Sequence, residues 1–160
     1  MDAHDPLATR RRILISAGRL AGALALGPLL RIEHARATGA EMQAAVRAIV
    51  GEAQVNVGRV ALDVPPLVEN GNTVPLTVAV ESPMTAADHV KAIHVFNEKN
   101  PQPDVASFYL GPRNGRATVS ARIRLADSQQ VVAIAQMSDG SFWSDTADVL
   151  VTIAACTEDL

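Results

Sequence analysis

The chain has 160 residues, 19% of them charged and 3% aromatic, with 17 acidic against 14 basic side chains and a formal net charge of −3. That length suits one domain with a genuine core and is short for two. The acidic balance argues against nucleic acid or an anionic membrane surface as a partner, because both are bound by basic patches.

The N-terminal segment carries an export pattern. Thr9-Arg10-Arg11-Arg12-Ile13-Leu14 leads into an apolar stretch from Ile13 to Leu30, and Ala35-Arg36-Ala37 follows as a small-x-small cleavage site. This is the form of a twin-arginine signal. Gly18, Arg19, Gly22, Gly27 and Pro28 interrupt the stretch, and a spanning helix tolerates a mid-segment arginine poorly, so residues 1–37 read as a cleaved signal peptide and not as an anchor. Cleavage after Ala37 removes six of the 14 basic and three of the 17 acidic side chains, leaving 123 residues with a balance of −6. The expected product is periplasmic, with no stable membrane insertion after cleavage.

The mature part opens with a helical spacing of Met42, Ala45, Val46 and Ile49, followed by Gly51 as a stop, which predicts a short helix over 41–50. Beyond it, short β-branched runs separated by Pro, Gly and Asn predict strands at 57–62, 73–80, 90–97, 105–110, 116–124, 130–138 and 147–153. Seven such runs imply an all-β, two-sheet sandwich over residues 38–153. In 117–124, Ala117, Val119, Ala121 and Ile123 alternate with Thr118, Ser120, Arg122 and Arg124, so the first set faces inward. Val131-Val132-Ala133-Ile134-Ala135 is apolar throughout and belongs in mid-sheet, covered on both faces. Asn70-Gly71 and Asp139-Gly140 supply pairs that tolerate positive φ in turns. Asn100-Pro101-Gln102-Pro103 predicts a rigid bend.

Few residues carry chemistry. His89 and His94 are five apart in an expected strand and face opposite ways, which does not suit a shared metal. His4 and His34 leave with the signal. No histidine or methionine follows Cys156, as a blue-copper site would require, and without a second cysteine there is no Cys-x-x-Cys pair. Nucleophile-elbow, phosphate-loop and dinucleotide motifs are missing too, so neither a stand-alone enzyme nor a cofactor is expected. Phe142-Trp143 reads first as a core pair and second as an interface anchor. Cys156, the one cysteine, lies in the last five residues, 156–160. It is either a small buried side chain or a working thiol, and an odd cysteine in an exported chain points to intermolecular pairing or to a functional sulfur. A tethered thiol can serve as a carrier between separate enzymes.

The ordered matches Glu69-Asn70-Gly71-Asn72-Thr73-Val74-Pro75-Leu76-Thr77-Val78, Ser82-Pro83-Met84, His89-Val90-Lys91-Ala92-Ile93, Asn100-Pro101-Gln102-Pro103 and Met137-Ser138-Asp139-Gly140-Ser141-Phe142-Trp143 together resemble SoxY, the sulfur-carrier family of the periplasmic Sox thiosulfate-oxidation system. The resemblance implies an immunoglobulin-like β-sandwich paired with SoxZ as a heterodimer. It also implies a C-terminal arm, here residues 154–160, whose cysteine maps to Cys156 and holds thiosulfate-derived sulfur covalently for other Sox enzymes. The family's arm is Gly-Gly-Cys-Gly-Gly, whereas this chain has Ala154 and Ala155 before the cysteine and Thr157-Glu158-Asp159-Leu160 after it. Alanine narrows the accessible backbone conformations, and the added acids disfavour a thiolate. The alternative is a SoxY-like interaction module that binds a SoxZ-type partner without carrying sulfur.

Overall fold

Helix α1 (Gly39–Val50) forms where the apolar spacing predicts it, with Glu41 in its first turn and Arg47 in its last, charges that suit the helix dipole. Gly51 ends it at φ 62, and its N–H closes the last turn onto Arg47 O at 2.8 Å. The computed structural model describes residues 39–155, all within one compact unit. The segment 1–37 expected to be a signal peptide, with its expected cleavage site, and Cys156 with residues 157–160, lie outside the described residues. No helix among the described residues is long and apolar enough to cross a membrane.

Nine strands follow: β1 (Val55–Val57), β2 (Val60–Asp63), β3 (Leu67–Asn70), β4 (Val74–Val80), β5 (Val90–Asn97), β6 (Asp104–Tyr109), β7 (Ala117–Ile123), β8 (Gln129–Met137) and β9 (Phe142–Ile153). They make two sheets, one ordered β1-β9-β8-β5-β6 with β3 also paired to β9, the other ordered β2-β4-β7. The fold is the expected two-sheet β-sandwich behind one short helix.

The differences from the expected strands have local causes. The run at 57–62 splits because Gly58 and Arg59 both take positive φ, 108 and 57, and turn the chain out of the larger sheet into the smaller. Strand β3 returns it to the larger sheet; four residues after Pro65-Pro66, without alternation, gave no strand signal. β1 and β3 lie parallel to successive parts of β9, with Val55 opposite Phe142 and Leu67 opposite Leu150. β9 therefore starts at Phe142 instead of 147 and runs for 12 residues. Its antiparallel register with β8, Gln136 opposite Phe142, is set by the turn in which Gly140 adopts φ 87.

Burial follows the alternation. In β7 the sequence Ala117 to Ile123 alternates between inward and exposed positions as expected. The main core lies between the sheets and includes Val74, Leu76, Val78, Ile93, Val95, Leu125, Val131, Ala133 and Val149. β8 sits in mid-sheet and is covered twice, as its apolar run requires. Val131, Ala133 and Ala135 face the sandwich, while Ile134 packs outward with Phe96 and Phe142 beneath Met42 and Val50 of α1. The two faces also divide Phe142-Trp143: Phe142 lies under the helix, and Trp143 packs on the inter-sheet core.

Candidate functional site

The expected attachment residue, Cys156, follows β9 in the chain, so the end of that strand is the last described part of the structure before it. Beyond Ile153, Ala154 is exposed but Ala155 is buried, at 8% exposure. Three backbone hydrogen bonds lace this end together. Gly71 N–H donates to Ile153 O at 2.8 Å, Leu125 N–H donates to Gly71 O at 2.9 Å, and Ala155 N–H donates to Leu125 O at 3.0 Å. Three segments far apart in sequence thus meet at the residue before Cys156.

Gly71 is required here by space. Its φ is not among the positive values, so the expected positive-φ role of Asn70-Gly71 is not realised, in contrast to Gly140. A Cβ on Gly71 would collide with Leu125 O, come within 2.8 Å of Ala155 N and lie 3.1 Å from Val151 Cγ1. The turn is instead shaped by Asn70, whose Oδ1 accepts Asn72 N–H at 3.0 Å, an Asx-type turn that leaves Gly71 free to press against the strand end.

Leu125 is fully buried, and its loop is held by the Asn100-Pro101-Gln102-Pro103 bend. Asn100 Nδ2 donates to Arg124 O at 2.8 Å, and Asn100 Oδ1 accepts Ala126 N–H and Gln129 Nε2, both at 3.0 Å. One carboxamide thus spans the residues on both sides of Leu125. Ser128 adds a further tie, its Oγ accepting Val151 N–H at 2.9 Å just beyond the last β8–β9 pair, Gln129 opposite Val149. Around this end three apolar side chains stand exposed: Leu67 at 60%, Leu150 at 63% and Ile153 at 65%.

The other candidate residues stand apart from this end. The imidazole of His89, half-buried just ahead of β5, meets Thr85 O at 3.1 Å through Nδ1. His94 is 4% exposed, its Nδ1 2.8 Å from Ser107 Oγ and its ring edge-on to Tyr109 at 6.3 Å. Burial pushes the His94 imidazole below its ordinary pKa, and the nearby Asp104 carboxylate partly opposes that. Among the described residues no group of three or more His, Cys, Asp or Glu is arranged to hold a metal ion. Trp143 donates Nε1–H to Ser141 Oγ at 3.2 Å and lies 5.5 Å beneath the Arg59 guanidinium. The Phe-Trp pair is thus engaged in packing. Sequence reading missed the roles of Gly71, Asn100 and Leu125 at the strand end. Asn100 stood out as part of a bend, but its partners lie 24 to 29 positions away and leave no local pattern.

Comparison with known proteins bears on the whole arrangement. Residues 46–156 match the family Sulfur oxidation protein SoxY, and the matched region ends on Cys156. The structure is similar to that of the sulfur carrier protein SoxY from Chlorobium limicola f thiosulfatophilum, with a TM-score of 0.61 and 30% identity, covering 72% of this chain and all of that one. It also shares a fold with superoxide reductase (neelaredoxin) from Ignicoccus hospitalis, with a TM-score of 0.53 and 17% identity over 59% of this chain and 80% of that one. No curated protein matches the sequence. The chain belongs to the SoxY family of sulfur oxidation proteins.

Proposed function

We propose that the chain is a covalent sulfur carrier, loaded at Cys156 and presented to partner Sox enzymes in complex with a SoxZ-type protein. The observation that carries this reading is that the family match extends through the strand end to Cys156 itself. The thiolate is the reacting form of cysteine. Joining a thiolate to the outer sulfur of thiosulfate forms one S–S bond and releases two electrons. Loading therefore belongs to a partner enzyme that accepts those electrons, and the carrier supplies only the attachment point. The twin-arginine pattern supports a periplasmic site of action, and export of a folded protein would allow the partner to dock before translocation.

Intact-mass measurement on protein from cells grown on thiosulfate tests the proposal. Adducts on Cys156 in a fraction of the molecules, removed by a thiol reductant, are expected. A chain that co-purifies with its partner and is always unmodified overturns the carrier role and leaves an interaction module.

A further inference from the structure

We propose that strand β7 is an open docking edge that takes an extended segment of a partner protein, alternately apolar and acidic, as a fourth strand of the smaller sheet. The inference is independent of sulfur on Cys156, and its test needs none.

The edge is unpaired and regular. β7 ends the smaller sheet, ordered β2-β4-β7, and among the described residues nothing pairs with its far side. Its seven residues run in unbroken register with β4, from Val74 opposite Ile123 to Val80 opposite Ala117. At the edge of the larger sheet, by contrast, the pairing of β6 with β5 is interrupted by a register shift between Val95 and Phe96. Bulges, prolines and short length are the usual guards against strand addition, and β7 has none of them.

The sandwich is also open beside this edge. β2 sits over β9, where Leu62 N–H donates to Asp145 Oδ2 at 2.8 Å. Strands within a sheet lie about 4.8 Å apart, so three strands counted from β9 reach β5 and leave β6 without a facing strand. Burial agrees with this count. Val105 and Phe108 of β6, Leu110 after it and Val119 of β7 pack on the inter-sheet core yet are only half-buried, whereas Val78, paired with Val119, is fully buried. The inward side chains of a fourth strand beside β7 would cover this apolar seam.

Charge selects the partner. Of the eight basic side chains in residues 39–155, Arg113, Arg116, Arg122 and Arg124 fall within one short stretch, and no acidic residue lies between Asp104 and Asp127. All four are exposed, and none makes an ion pair or a side-chain hydrogen bond with a described residue, whereas Arg59 and Lys99 are tied to Asp88 and Asp127. A second β7 brought against this edge sets arginine against arginine, while an acidic strand meets opposite charge along it. Charges alone would serve as a guard on an edge. The half-buried seam adds a surface for a strand to cover, which a guard does not require.

The probe is a peptide of alternating glutamate and valine, added to the full chain, with amide exchange in β7 followed by NMR. The amides of residues 117–123 that point away from β4 are expected to become protected, and affinity is expected to fall as salt is raised. Each cross-strand pair of opposite charge is worth up to about fivefold, and reversal adds repulsion, so Arg116→Glu with Arg122→Glu is expected to weaken binding at least about tenfold. The urea midpoint should stay unchanged, since both side chains are exposed. The reversed chain should instead take the matching peptide of lysine and valine. No binding, equal binding of a block peptide of the same composition, or binding without protection of β7 overturns the proposal. Self-association of the chain through β7, or protection of β7 by a single-stranded oligonucleotide, would put another occupant there and overturns it as well.

Discussion

The same substitution at two glycines should have opposite effects, and the structure gives the reason for each sign. At Gly71 an added methyl meets Leu125 O, Ala155 N and Val151 Cγ1. Two of these atoms are backbone and take part in the hydrogen bonds that lace the strand end, so the clash is relieved only by stretching those bonds. Overpacking of this kind costs about 1–3 kcal/mol. Loss of one net hydrogen bond adds about 1 kcal/mol, and the lower entropy of the unfolded alanine chain returns about 0.4–1 kcal/mol. Gly71→Ala is therefore expected to destabilise by about 2 kcal/mol, which in urea lowers the midpoint by about 1 M for a domain of this size. At Gly111, φ is −159 and ψ 176, extended backbone open to any residue, and an added Cβ meets nothing within 4 Å. Gly111→Ala keeps only the entropy gain and is expected to stabilise by about 0.5 kcal/mol. Equilibrium urea unfolding followed by tryptophan fluorescence measures both. A Gly71→Ala midpoint within error of the wild type, or equal losses at the two sites, would refute the close-approach argument.

Other outcomes follow from the same structure. Met42 is 3% exposed and anchors α1 on Phe96, Ile134 and Phe142, so Met42→Ala should cost about 2–4 kcal/mol by the usual transfer and cavity terms; a urea midpoint unchanged by the substitution would show that the helix is not docked. The lowered pKa of His94 means that, below the ordinary value of 6.5, the unfolded chain takes up a proton that the folded chain refuses. Stability is therefore full above that pH and falls as pH drops from it toward the lowered native pKa. His94→Gln should flatten the fall, and unfolding measured between pH 7 and pH 5 checks it. Cys156→Ser should leave folding and partner binding unchanged and abolish the sulfur adduct, read by circular dichroism, co-purification and intact mass; loss of folding would instead mark Cys156 as a core residue.

Periodicity made most of the sandwich legible. β5 matches its expected range, 90–97, to the residue, and β7 and β8 fall within one residue of theirs, because their alternation or continuous apolarity reflects burial directly. What escaped was decided by non-local pairing. β1 and β3 are three and four residues long and exist as strands because β9 lies alongside them. A short run with no pattern of its own takes its conformation from its neighbour, and the neighbour is more than 80 positions away. The strand end was less legible still. Asn70-Gly71 and Asn100-Pro101 announce turns, and the turns are there. That both turns converge on the root of the arm is a fact of topology that no window of sequence contains.

The departures at the arm acquire a physical sense from this topology. A glycine pair gives a tether its freedom, and fixing a glycine costs more conformational entropy than fixing any other residue. An arm that swings needs glycine, whereas an arm root that stays seated is favoured by alanine, which has less freedom to lose. Ala155 is seated: it is buried, its amide is paired, and the space it occupies exists only because residue 71 has no side chain. Restoring the family pattern with Ala155→Gly should therefore weaken this seating of residue 155 by up to about 1 kcal/mol without removing the donor, the amount by which glycine loses more freedom than alanine. Faster exchange at residue 155 in that variant, with the rest of the domain unchanged, is the expected result. Equal exchange in the two chains would mean that alanine at 155 adds nothing over glycine and that the seating of residue 155 depends on Gly71 and Leu125 alone.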